Sequence, residues 1–328
     1  MASSVNRSPG DDSATEPEPI KAVPLRHPGR WIAAVIVLVL FGLFAYGAAT
    51  NDAFRWDVYG QYIFDKRITA AAWKTIQLTV LAMAIAIVLG VILAVMRLSP
   101  NPVLRTAAWV YLWVFRGTPV YVQLVFWGLF PAIYKTIDLG IPFGYQFAHI
   151  DIQALSAAFL FAVIGLALNE AAYMAEIVRA GVNSVSEGQT EASTALGMSW
   201  AQTMRRTVLP QAMRVIIPPT GNELISMLKT TSLVAAVPYT GELYGRARDI
   251  SGANFQPIPL LLVAATWYLV ITSILMVGQY YLERYYSKGA SRTLTARQLQ
   301  ALADAQGRPV VITPDVETPP EPPGGERK

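Results

Sequence analysis

GQTEASTALGMSWAQTMRRTVLP, residues 188–210, has the small residues, charges and central glycine of a soluble helix–turn–helix, yet it lies between apolar blocks at 152–175 and 215–238. Two S/T-x-x-E/Q capping frames, Ser186 with Gln189 and Ser184 with Glu187, start a helix near Glu187 that runs to about Leu196. Gly197 suits the left-handed position that ends it. Ser199 with Gln202 is another capping box, opening a second helix through Val208. Pro210 and the pair Pro218 and Pro219 punctuate the chain beyond it. The first helix, about ten residues, is roughly 15 Å long. Ala192, Ala195 and Leu196 give it a small, smooth face that suits a groove on another protein. A plain connector between spans is equally open on physical grounds. A DNA-reading unit shares the glycine turn and the basic pair Arg205 and Arg206, but tethered between two spans it has no route into a major groove, so nucleic acid is not a partner.

The rest of the chain places this element at a membrane. Of 328 residues, 53% are hydrophobic and 15% charged, where soluble domains carry about 25% charge. Six blocks approach the length of a span: 31–50, 75–96, 109–134, 152–175, 215–238 and 258–282. Blocks one, two and six are free of charge. The third is broken by Arg116, Gly117 and Pro119, the fourth ends in Asn169 and Glu170, and the fifth holds Pro218, Pro219, Glu223 and Lys229. Such interruptions are tolerable only against protein or a water-filled cavity. With the N-terminus in the cytoplasm, segments 1–30, 97–116, 176–214 and 283–328 carry 18 Lys and Arg, and the outer loops 51–72, 135–151 and 239–257 carry six. That bias predicts six spans with both termini inside and residues 188–210 in the cytoplasm. Residues 1–30 read as a disordered tail. The tail after Tyr286 begins basic, offers a short helix around 295–305, and ends in a Pro-rich run.

Several chemistries are missing. There is no GxxxxGK[ST] loop for ATP phosphates, no HExxH and no GxSxG. The absence of Cys excludes thiolate catalysis and disulfides. His27 and His149 lie too far apart in sequence to suggest a metal site. No catalytic residue, cofactor or metal ligand is expected.

Glu191-Ala192-Ser193, three residues, Gly197, nine residues, Thr207, one residue and Leu209-Pro210 resemble the EAA-x3-G-x9-I-x-LP signature of ABC importer permeases. Ser193 stands for the second Ala and Thr207 for Ile. Phe115-Arg116-Gly117-Thr118-Pro119, the run from Ala172 to Arg179, Leu209-Pro210-Gln211-Ala212 and Leu228-Lys229-Thr230-Thr231-Ser232-Leu233 are similar to the permeases of polar amino acid uptake. The resemblance covers about residues 70–285 and implies an all-α membrane fold with five core helices, so that 31–50 is an added N-terminal span. It implies a second permease subunit, identical or paired, two cytoplasmic ATP-binding subunits that hold ATP and Mg, and an extracytoplasmic amino acid-binding protein, in a bacterial inner membrane. Residues 184–212 then form the coupling loop, with Glu191, Ala192, Ser193, Leu196, Gly197, Leu209 and Pro210 as its ATPase-coupling residues.

For the substrate path the candidates are Glu170, Glu223 and Lys229, with Asn169, Tyr173 and Asn222 beside them. Charges at membrane depth mark pathways by default, and an amino acid zwitterion needs both an acidic and a cationic partner. The competing reading makes Glu176 with Arg179, and Glu223 with Lys229, structural ion pairs, and Arg116 an anchor at the inner boundary. Span-end aromatics such as Trp109, Trp113, Tyr280 and Tyr281 fit an interface belt. Charge does not decide the substrate; the reading leans to an acidic or neutral polar amino acid.

Overall fold

A computed structural model describes residues 28–141, 145–152 and 158–286. The two tails, His27 and the helix expected around 295–305 lie outside the described residues. The chain divides into two units, before and after residue 54. In the first, helix α1 (Pro28–Thr50) has no charge past Arg30 and exposes its apolar side chains along its length. It is long and apolar enough to cross a membrane.

The second unit is a helical bundle. It runs α2 (Trp56–Tyr62), α3 (Lys66–Leu98), α4 (Pro102–Gly117), α5 (Val120–Ile133), strands β1 (Thr136–Gly140) and β2 (Gln146–Asp151), α6 (Ala158–Asn183), α7 (Glu187–Ala195), α8 (Trp200–Thr203), α9 (Leu209–Thr230), α10 (Leu243–Asn254) and α11 (Pro257–Tyr286). Three of these, α3, α6 and α11, are long and apolar enough to span, and α5 is a shorter apolar helix. The most buried of the long helices is α6.

Small residues bring α3 and α6 together. Ala82, Ala86, Gly90 and Ala94 recur every fourth residue on α3 and are all buried. Ala167, Ala171 and Ala175 answer them from α6. A methyl group built on Gly90 would sit 2.5 Å from Met174 Cβ and 3.0 Å from the Ala175 nitrogen, so this crossing needs glycine. Lipid supplies no hydrophobic drive between helices, and close backbone approach through small residues replaces it. Around this pair, α5, α9 and the segment after α9 pack through Leu124, Met227 and Val234. Helix α2, the start of α3, α10 and α11 close a second core around Ile68, Leu243 and Leu260.

The structure corrects several expectations. Block 109–134 is not one interrupted span: α4 and α5 are separate helices, divided at Thr118 and Pro119. Gln123 Nε2 bridges the break, donating to the Phe115 and Thr118 carbonyls at 3.0 and 3.1 Å. Conversely, Pro218 and Pro219 do not end the fifth helix; α9 runs through both and passes into a 3-10 turn at Thr231–Ala236. The outer segments expected as loops hold α2, the β1–β2 hairpin and α10.

Candidate functional site

The segment from α7 to the start of α9 forms a compact hairpin. Ser186 occupies the N-cap position of α7, but its side chain caps nothing, so the first predicted capping box does not form. Ser199 does form one: Gln202 N donates to Ser199 Oγ at 3.4 Å and Ser199 N to Gln202 Oε1 at 2.9 Å. Between them Gly197 has φ +73°, a conformation that disfavours any side chain. The second helix does not stop at Val208. A wide π turn, Met204–Val208, carries α8 into α9, with Leu209 N bonded to Met204 O. Such turns insert an extra residue per turn and recur at functional positions.

Two side-chain links, Ser193 with Thr207 and Gln189 with Gln211, fasten the hairpin. Ser193 Oγ donates to Gln189 O at 2.8 Å and meets Thr207 Oγ1 at 3.0 Å. Gln211 Nε2 reaches Gln189 Oε1 at 3.3 Å. Ser193 is buried by these contacts, whereas Glu191, Ala192, Leu196, Gly197, Leu209 and Pro210 are exposed. Leu196 and Trp200, 81% and 75% exposed, form an apolar tip. Trp200 escaped the sequence reading; its signal was a large aromatic directly after a capping serine.

A polar cluster lies in α6 and α9. Glu170 is buried and its carboxyl meets that of Glu223, with Glu170 Oε1 lacking any hydrogen-bond partner among the described residues. Two adjoining carboxyls in a low-dielectric setting need a proton or a cation between them. The other path candidates are dispersed. Asn169 donates to Phe115 O at 3.1 Å and Gln123 Oε1 at 3.0 Å, which ties it to the α4–α5 break. Tyr173 lies under the Arg116 guanidinium, 5.5 Å from ring centre to Cζ. Exposed Asn222 reaches Glu283 on α11 at 3.4 Å. Glu223 and Lys229 form no ion pair among the described residues, because six residues place them about 9 Å apart along the axis and on different faces. Lys229 instead lines a separate cleft of about 270 Å³ with Ser232, Tyr244 and Tyr268. Glu176 and Arg179 do pair, through two hydrogen bonds.

Residues 86–288 match the family of binding-protein-dependent transport system inner membrane components. The chain belongs to that family. It is 64% identical over 306 residues to the arginine transport system permease protein ArgU of Corynebacterium glutamicum, covering 93% of this chain and 95% of that protein. It is 36% identical to the L-cystine transport system permease protein TcyB of Bacillus subtilis, covering 71% and 92%. A solved amino acid ABC transporter, crystallised with histidines, superposes with a TM-score of 0.56 at 32% identity, over 67% of this chain and 94% of that one. The protein is therefore a membrane-embedded permease subunit of an ABC transporter. It is not an enzyme; ATP hydrolysis resides in a separate subunit. Membership implies a bacterial inner membrane and partnership with a further permease, an ATPase and a binding protein.

Proposed function

We propose that this chain is the permease of an ATP-driven importer of arginine or a closely related cationic amino acid. The observation that carries the reading is the 64% identity to an arginine permease across almost the whole of both chains. It points away from the acidic or neutral polar amino acid to which the sequence reading leans. The Glu170–Glu223 pair suits it, since a guanidinium or ammonium group can replace the proton that two adjoining carboxyls otherwise share. Residues 70–285 act as the transport domain, with both tails and the 184–212 loop in the cytoplasm. There the exposed face Glu191, Ala192 and Leu196 docks on the ATPase, with Gly197 shaping the turn and Ser193, Leu209 and Pro210 fixing the hairpin. Closure of two ATPase subunits moves two such hairpins, one on each permease, and each hairpin passes the motion to α9 without a break in the helix.

Proteoliposomes containing the permease, its ATPase and its binding protein test this. Vanadate-sensitive uptake should favour arginine over glutamate. Glu170→Gln should lower arginine uptake by roughly tenfold, the loss of one charge-assisted contact, while the ATPase still co-purifies. Preference for glutamate would overturn the substrate, and unchanged affinity and selectivity in Glu170→Gln would remove that residue from the path.

A further inference from the structure

A cleft of about 480 Å³ lies outside both sites, where α3, α4 and α6 meet. It is lined by Arg97, Arg116, Arg179, Glu176, Trp109 and Trp113, over a floor that includes buried Leu112. Arg97 belongs to the last turn of α3, and Arg179 precedes the end of α6 by about one turn. The cleft therefore opens at the end of the bundle that carries the α7–α9 hairpin.

Its charges do not balance. Glu176 is engaged by Arg179 through both carboxylate oxygens. Arg97 and Arg116 form no ion pair among the described residues. Glu176 is thus the one carboxylate in the lining and lies within electrostatic reach of Arg97 and Arg116 as well as Arg179, so three guanidinium groups face one carboxylate and the cleft keeps a net positive charge that attracts an anion. Trp109 and Trp113 stand one turn apart on α4, with rings stacked 6.2 Å apart at 6°. Both are about half exposed or more, and the neighbouring Val110 and Val114 also face outward. An outward face of Val and Trp is at home at the headgroup–acyl boundary, not in water. Guanidinium groups present planar donors that match a phosphate. Basic pockets between helices, close to indoles, take the headgroups of anionic lipids.

We propose that this cleft holds the phosphate of an anionic phospholipid from the leaflet on the hairpin side, with Arg97 and Arg116 as its ligands and the two indoles against the glycerol and upper acyl chain. The bound lipid joins the end of α3 to α4 and so steadies the helix that leads to the Thr118–Pro119 break.

Native mass spectrometry of the detergent-solubilised permease–ATPase complex tests this, with phosphatidylglycerol and phosphatidylcholine offered in equal amounts. The wild type should retain phosphatidylglycerol with a preference on the order of tenfold, and Arg97→Gln with Arg116→Gln should abolish it. Arg105→Gln, on the same helix but outside the cleft, should leave the preference unchanged. Inorganic phosphate at millimolar concentration should not displace the lipid. Equal retention of the two lipids by the wild type overturns the proposal whether or not the double variant folds. So does retention by a folded double variant, loss on Arg105→Gln, or displacement by free phosphate.

Discussion

Ser193 and Thr207 look like two mild, unrelated departures from the permease signature when met in sequence. In three dimensions they are one change. Ser193 is 4% exposed, and its hydrogen goes to Gln189 O, so the Thr207 hydroxyl donates across the 3.0 Å gap to Ser193 Oγ. Either hydroxyl left alone in this contact would cost about 1–3 kcal/mol, and together they satisfy each other. The pairing was illegible because fourteen residues and a glycine turn separate the partners. The turn itself was legible, since only Gly suits φ +73° without strain. Ser193→Ala and Thr207→Ile should each weaken ATPase co-purification and uptake, by roughly fivefold for a loss near 1 kcal/mol. The double variant restores the apolar pair of the signature and should recover most of the activity. Effects that simply add in the double variant would show that the two side chains are not coupled.

At the scale of elements, helices were legible where apolar runs are unbroken, and the errors gathered at prolines and at the outer segments. Pro218 and Pro219 read as breakers because local rules assume that freed carbonyls find no partner. The carbonyls that these prolines leave without a helical donor are those of Arg214 and Val215, and the helix is instead held through this stretch from outside: Gln279 Nε2 on α11 donates to Pro218 O at 2.8 Å, a contact made by a residue 61 positions away. Helix α10 was missed for a similar reason. Its N-cap is Glu242, a residue that reads as a loop charge but is fully buried. The carboxylate accepts from the Tyr244 nitrogen at 2.8 Å, from the Gly245 nitrogen, and from the Tyr268 hydroxyl at 3.1 Å. Burial outweighs these donors and pushes the Glu242 carboxyl up to about 7, outside the long apolar helices. In the unfolded chain the same group ionises near 4.5. The folded protein therefore holds the extra proton between these values, and stability falls as pH rises through this window and levels off above it. Glu242→Gln removes that dependence. Melting of the purified protein from pH 5 to 8 should show the wild type losing ground to the variant up to about pH 7. Parallel curves would mean that Glu242 titrates alike in both states.

Across the whole molecule, the legible quantity was the distribution of charge along the chain. The Lys and Arg bias of 18 against six required no structure. What it could not show was how polar interruptions are housed: the α4–α5 break is held by Gln123 and Asn169, and the Glu170–Glu223 meeting depends on α6 crossing α9. The same bias predicts that residues 184–212 and α10 lie on opposite sides of the membrane. The natural absence of Cys makes this directly measurable, because single cysteines can be introduced without a background. Ser186 is exposed and its side chain caps nothing, so Ser186→Cys should be structurally silent. Ala253, exposed near the end of α10, serves for the other face. In intact cells expressing the chain without its ATPase, a membrane-impermeant maleimide should label Ala253→Cys and spare Ser186→Cys, which should react only after permeabilisation. The reverse pattern would turn the hairpin outward, beyond reach of any cytoplasmic ATPase, and would end the coupling reading with it.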